Sequence, residues 1–184
     1  MKRTIIAITA AGILAAGLAG CSSASTSEGS RVQLYDSVSA LADDSSIIVA
    51  GTVSSQKTVS DIPNGGNFTL STFTVTKSAK SDSGHPDGST ITVRQIGSPK
   101  ASGPAPFLEQ GKSYLLYLHP SELDGNLASH FYVTGGSAGI YETQQNAAAR
   151  SAGGVTEDTE FTKAPSDEGD TLPAELTLDD ALKG

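Results

Sequence analysis

Gly111-Lys112-Ser113-Tyr114-Leu115-Leu116-Tyr117-Leu118 is the stretch whose reading decides the fold. Gly111-Lys112 opens it, and residues 114–118 are the most apolar run downstream of the N-terminal segment. In a strand, alternate side chains point to opposite faces. Leu116 and Leu118 then point one way, Leu115 and Tyr117 the other. A strand that is apolar in both phases needs cover on both faces, so residues 114–118 are predicted to be a central strand.

Working outward, His130 to Thr134 reads as a strand ended by Gly135-Gly136, and Gly139-Ile140-Tyr141-Glu142 as a last short one. Upstream, residues 98–106 hold three prolines and read as a loop, and Thr90 to Ile96 reads as a strand with Ile91 and Val93 on one face. Ser81 to Gly88 is a polar loop containing His85-Pro86. Asn64-Gly65-Gly66-Asn67 is a turn signal, because Gly and Asn tolerate positive φ. Phe68 to Lys77 is rich in Thr, Phe and Val, which favour strands. Residues 47–58 and 67–78 are therefore expected to form a hairpin. Leu34, Val38 and Leu41 share one face of a short helix over residues 32–43, the nearest candidate to cover the 114–118 strand. No internal repeat is visible.

After Glu142 the composition changes. Residues 144–170 carry few large apolar side chains and many acids, so residues 143–184 read as an acidic, mostly disordered tail. Leu172, Leu176, Ala181 and Leu182 mark a short helix over residues 172–183, with Thr177 capping and Asp180 three residues on.

The N-terminus has the layout of a secretory signal over residues 1–20: Lys2-Arg3, an uncharged, mostly apolar Thr4–Gly17, then small residues. The apolar segment falls short of the ~20 residues that span a bilayer comfortably. Leu18-Ala19-Gly20-Cys21 resembles the lipobox of bacterial lipoproteins. That resemblance implies a diacylglyceryl group on Cys21, cleavage between Gly20 and Cys21, and an extracytoplasmic position on the cell membrane. Stable attachment generally needs more than one chain, each buried methylene contributing ~0.8 kcal/mol, and a diacylglyceryl group supplies two. The Ser-rich residues 21–31 read as a flexible tether. Cys21 is the only cysteine, which leaves no intrachain disulfide.

The formal charge is −8, and loss of Lys2 and Arg3 with the signal takes it to −10. Such a chain is a poor partner for nucleic acid, whose backbone is neutralised by clustered Lys and Arg. Trp is absent and aromatics are 5%, so a large aromatic platform is not expected.

Two further pieces carry a resemblance of fold. Ile48-Val49-Ala50-Gly51-Thr52-Val53 and Gly111 to Leu118 look like the "Ile-Val-x-Gly-x-Val" and "Gly-Lys-x-Tyr-Leu-Leu-x-Leu" strands of small secreted OB-like domains, the netrin or metalloprotease-inhibitor type. The resemblance covers roughly residues 34–142 and implies a mainly β, small OB-like barrel of about five to six strands with one short N-terminal helix, domain limits 32–142. Its motifs concern packing and turns. The inhibitory mechanism, which needs a free N-terminal Cys on a protease zinc, does not carry over to a chain whose single Cys21 is expected to be lipidated.

Chemistry is thinly signalled. Gly135-Gly136-Ser137-Ala138-Gly139 matches G-x-S-x-G, but a nucleophile elbow needs a helix after it and a later His, and no His follows His130. His85, His119 and His130 lack metal-ligand spacing, and no H-E-x-x-H or calcium-loop pattern occurs. No catalytic, cofactor or metal residue is assigned. The expected function is a non-catalytic binding or accessory module of the cell envelope, held to the membrane through Cys21, its protein or glycan partner unspecified. The alternatives are a secreted hydrolase using Ser137 or a His-based metal site, and a structural surface component.

Overall fold

The computed structural model describes residues 33–81, 84–100, 105–143, 155–156, 158–165 and 169–183. The expected signal over residues 1–20, Cys21 and the expected tether over residues 21–31 lie outside the described residues. The axis of the fold is β1 (Ile47–Val59). It pairs antiparallel along its length with β2 (Phe68–Lys80), the expected hairpin. β2 pairs antiparallel with β3 (Thr90–Ile96) over Phe68–Thr74. The first half of β1 also pairs with β4 (Ser113–Pro120), from Ile47 opposite Leu118 to Thr52 opposite Ser113. β5 (His130–Val133) lies parallel to β3 and antiparallel to β4. The ring β1-β2-β3-β5-β4 closes through the β1–β4 pairing, and a closed ring leaves no edge among those strands. The mainly β, barrel-like domain expected from the sequence is present.

Two glycine-dependent features shape the ring. Asn64 (φ 60°) and Gly66 (φ 74°) take left-handed conformations in the β1–β2 turn. Gly51 sits at a register shift in β1, where a Cβ would stand 2.1 Å from the Thr74 carbonyl oxygen. A side chain there would force the two backbones apart, which explains the glycine in the Ile48–Val53 segment.

The central strand is buried on both sides as its sequence predicts. Leu116 and Leu118 point into the barrel with Ile47, Val49, Phe73 and Val93. Leu115 and Tyr117 point outward into a second core with Ile48, Ala50 and Tyr141. The cover of that outer core differs from expectation in two ways. The helix α1 is shorter than residues 32–43, running Val38–Asp43, because Ser37 is extended and its hydroxyl accepts the Ala40 N–H, capping the helix there. Val38 and Leu41 are buried in the core, but Leu34 precedes the cap and is 56% exposed.

The second correction concerns the tail. Where residues 143–184 read as mostly disordered, the described part of this segment is built into the sheet. β6 (Ile140–Thr143) pairs with β4, β7 (Phe161–Lys163) with β6, and β8 (Glu175–Leu176) with β7, giving eight strands. Val155, Phe161, Leu176, Leu178 and Ala181 complete the outer core. Tyr117 Oη donates to the Ala181 carbonyl at 2.9 Å and Tyr141 Oη to the Pro173 carbonyl at 3.1 Å. Burial pushes both phenols above their ordinary range, so they remain protonated donors. The expected helix over 172–183 is a single 3₁₀ turn, Asp179–Leu182. Thr177 and Asp180 pair reciprocally as expected, Asp180 Oδ2 accepting from the Thr177 hydroxyl at 2.6 Å and Thr177 Oγ1 accepting the Asp180 N–H at 3.3 Å, but the residue at the N-cap is Leu178 rather than Thr177.

Candidate functional site

α1 and the tail cover the outside of the barrel over β4 and the start of β1. The outside over β2, β3 and β5 is built differently. Strand alternation sends Ile91 and Val93 into the barrel, so Thr92, Arg94 and Ile96 face outward. Cross-strand pairing places Leu70 of β2 opposite Arg94 and Lys57 of β1 opposite Leu70. On the other side it places His130 of β5 opposite Thr92 and His119 of β4 opposite Tyr132. Ile96 is 51% exposed on this face.

Arg94 is its centre, with a side chain 0% exposed although it lies outside the barrel. Its guanidinium carbon stands 4.0 Å above the Phe68 ring, a cation–π arrangement. Asp61, from the β1–β2 loop, takes both terminal nitrogens: Nη1 donates to Oδ2 at 3.0 Å, and Nη2 donates to Oδ1. This is the two-pronged carboxylate geometry for which a planar guanidinium is suited. Arg94's two bonds hold the Asp61 carboxyl below the usual carboxylate range. Nη1 also approaches His130 Nδ1 at 3.5 Å, the long end of hydrogen-bonding range. Arg94 Nε is buried without a partner among the described residues.

A guanidinium can only donate, so His130 Nδ1 faces it as an acceptor. Burial, then the Arg94 charge, push the His130 pKa below its ordinary value. Between that lowered value and the ordinary one near 6.5, the unfolded chain binds a proton that the folded chain does not, so stability rises with pH across this window. The melting temperature is therefore expected to fall as pH drops from about 7 to about 5, and His130→Gln should flatten that slope. An unchanged slope in the variant would remove His130 from the titration.

The other residues singled out from the sequence lie apart in role. His119 stacks on Tyr132 (centroids 6.0 Å, 28°), its Nδ1 beside the Pro120 carbonyl at 3.0 Å. His85 meets the Phe131 ring edge-on at 5.1 Å. All three histidines thus gather around β5, each against a different neighbour. Among the described residues, no three His, Cys, Asp or Glu side chains group as a metal site. Ser137 is 2% exposed in a turn that leads into β6 rather than a helix, with Gly135 packed directly under the Tyr35 ring. Cys21 lies outside the described residues.

Sequence reasoning passed over Arg94 and Asp61. A lone arginine on a strand that alternates with apolar residues reads as a solvated side chain, and its partner is 33 positions away. No family model matches the chain, and no curated protein or solved structure matches it either.

Proposed function

We propose that the chain is a lipid-anchored lipoprotein on the extracytoplasmic side of the cell membrane, and that its barrel is a non-catalytic binding module. The observation that carries the binding part is the outer face of β2, β3, β5 and β4. It presents exposed Ile96 and the half-buried, stacked Tyr132–His119 pair around the buried Phe68–Arg94 stack, while the adjoining outer face is filled by α1 and the tail. OB-type barrels bind oligomeric ligands on their strand 2–3 face and its bordering loops. The anchoring part is supported by Leu18-Ala19-Gly20-Cys21 behind an apolar segment. No helix among the described residues is long and apolar enough to cross a membrane.

Cell fractionation tests the anchor. The parent is expected in the membrane fraction, and Cys21→Ser is expected to shift most of the protein to the soluble extracytoplasmic fraction, since two acyl chains supply the attachment. A Cys21→Ser protein that is processed normally and stays with the membrane would refute it.

A further inference from the structure

We propose that Arg94 is a recognition residue for the carboxylate of an acidic sugar, and that Asp61 is a built-in occupant of its site which the ligand must displace. This rests on the reading of the β2–β3–β5 face as the binding face.

The case starts from what is strand-borne and what is loop-borne. Phe68, Arg94 and His130 stand on β2, β3 and β5 and are held by ladder pairing. Asp61 alone comes from the loop between β1 and β2, whose residues 60–67 are exposed except for half-buried Ile62. The loop is closed by its own contacts: Ser60 Oγ donates to Asn67 Oδ1 at 2.6 Å, and the Gly65 N–H to the Ile62 carbonyl at 3.0 Å. The Asp61 side chain is 30% exposed while Arg94 beneath it is 0% exposed. A carboxylate is thus presented from outside to a buried, pre-oriented guanidinium, and both of its oxygens fit.

The fit is incomplete in a way that points to a richer ligand. A guanidinium has five N–H donors. Asp61 meets the two terminal nitrogens, and Nε stays buried and unpartnered. An unmet buried donor is costly. A free carboxylate that carries neighbouring hydroxyls, as a hexuronate does, has acceptors to spare for it. The half-buried Tyr132–His119 stack supplies an apolar surface for a sugar ring. Charge agrees: with Asp61 lifted away, the groups around His130 are Arg94 and Lys57, a local positive patch on a chain of formal charge −8.

The test uses the detergent-solubilised full-length protein, titrated calorimetrically with an oligohexuronate, its methyl ester, and a peptide ending in a free carboxylate. The parent is expected to bind the oligohexuronate and not the ester. Occupation by Asp61 reduces apparent affinity by the fraction of time the site is open, so a site open about a tenth of the time is weakened about tenfold. Asp61→Asn should recover about that factor. Ser60→Ala, which loosens the loop stem without touching Arg94 or Asp61, should tighten binding in the same direction. Arg94→Lys should lose it, because an ammonium cannot form the fork. If Asp61→Asn does not fold, Ser60→Ala decides. Binding by the parent that is unchanged or weakened in both loop variants overturns the occupant role and leaves the binding face standing. No binding by any variant overturns both. Tighter binding of the peptide than of the oligohexuronate overturns the sugar assignment.

Discussion

Phe161→Ala is expected to lower the unfolding free energy by about 3–5 kcal/mol, the range for deleting a buried aromatic side chain. Phe161 is 0% exposed, on β7, between Thr143 of β6 and Leu176 of β8. Its ring belongs to the outer core that holds Leu115, Tyr117 and Tyr141. Removing it leaves a void against the central strand that the short strands β7 and β8 have few other contacts to close. Glu160→Ala, exposed next to it, should change stability by no more than about 0.5 kcal/mol. Urea unfolding of the two variants beside the parent measures both. A Phe161→Ala loss under about 1 kcal/mol would mean that the segment does not act as part of the core.

That result bears on what could be read from the chain. The hairpin was legible almost to the residue, 47–58 with 67–78 against Ile47–Val59 with Phe68–Lys80, because a strong turn separates two β-prone runs. Thr90–Ile96 was legible for the same local reason. The tail was not. Its buried side chains, Val155, Phe161, Leu176, Leu178 and Ala181, are single apolar residues scattered among acids and glycines. Averaged composition sees too little apolar surface to offset ordering entropy. Each of these residues instead meets a surface already prepared by Leu115, Tyr117 and Tyr141, and backbone pairing to β6 supplies the rest. Leu34 erred in the opposite direction: its spacing fits the helix stripe, but the Ser37 cap starts the helix after it. The candidate site was illegible for a third reason. Asp61 reaches Arg94 from the β1–β2 loop across 33 positions, and His130 joins them only once β3 and β5 are parallel neighbours, a non-local pairing of two residue pairs that no periodicity encodes.

Leu116→Ala carries the other large expected effect, about 2–5 kcal/mol for truncating a core leucine. Leu116 is 0% exposed inside the ring, opposite Val49 of β1 and Ile140 of β6. It therefore touches the seam where β1 closes the barrel, and the loss should appear as a lower urea midpoint with the slope unchanged. Ser137→Ala is the informative companion. Ser137 is buried, so its hydroxyl contributes about 0.5–1.5 kcal/mol, the net worth of an ordinary hydrogen bond, and the variant should stay folded. For a binding module, Leu116→Ala weakens ligand binding only in proportion to the fraction unfolded, and Ser137→Ala binds as the parent does. A hydrolase relying on Ser137 reverses the second outcome: the variant stays folded, binds, and turns nothing over. The turn geometry argues for the first outcome. A serine 2% exposed, three residues ahead of the first residue of β6, has neither the opening nor the helix N-terminus that an attacking serine uses. A folded Ser137→Ala protein that has lost a turnover shown by the parent would displace the binding-module reading.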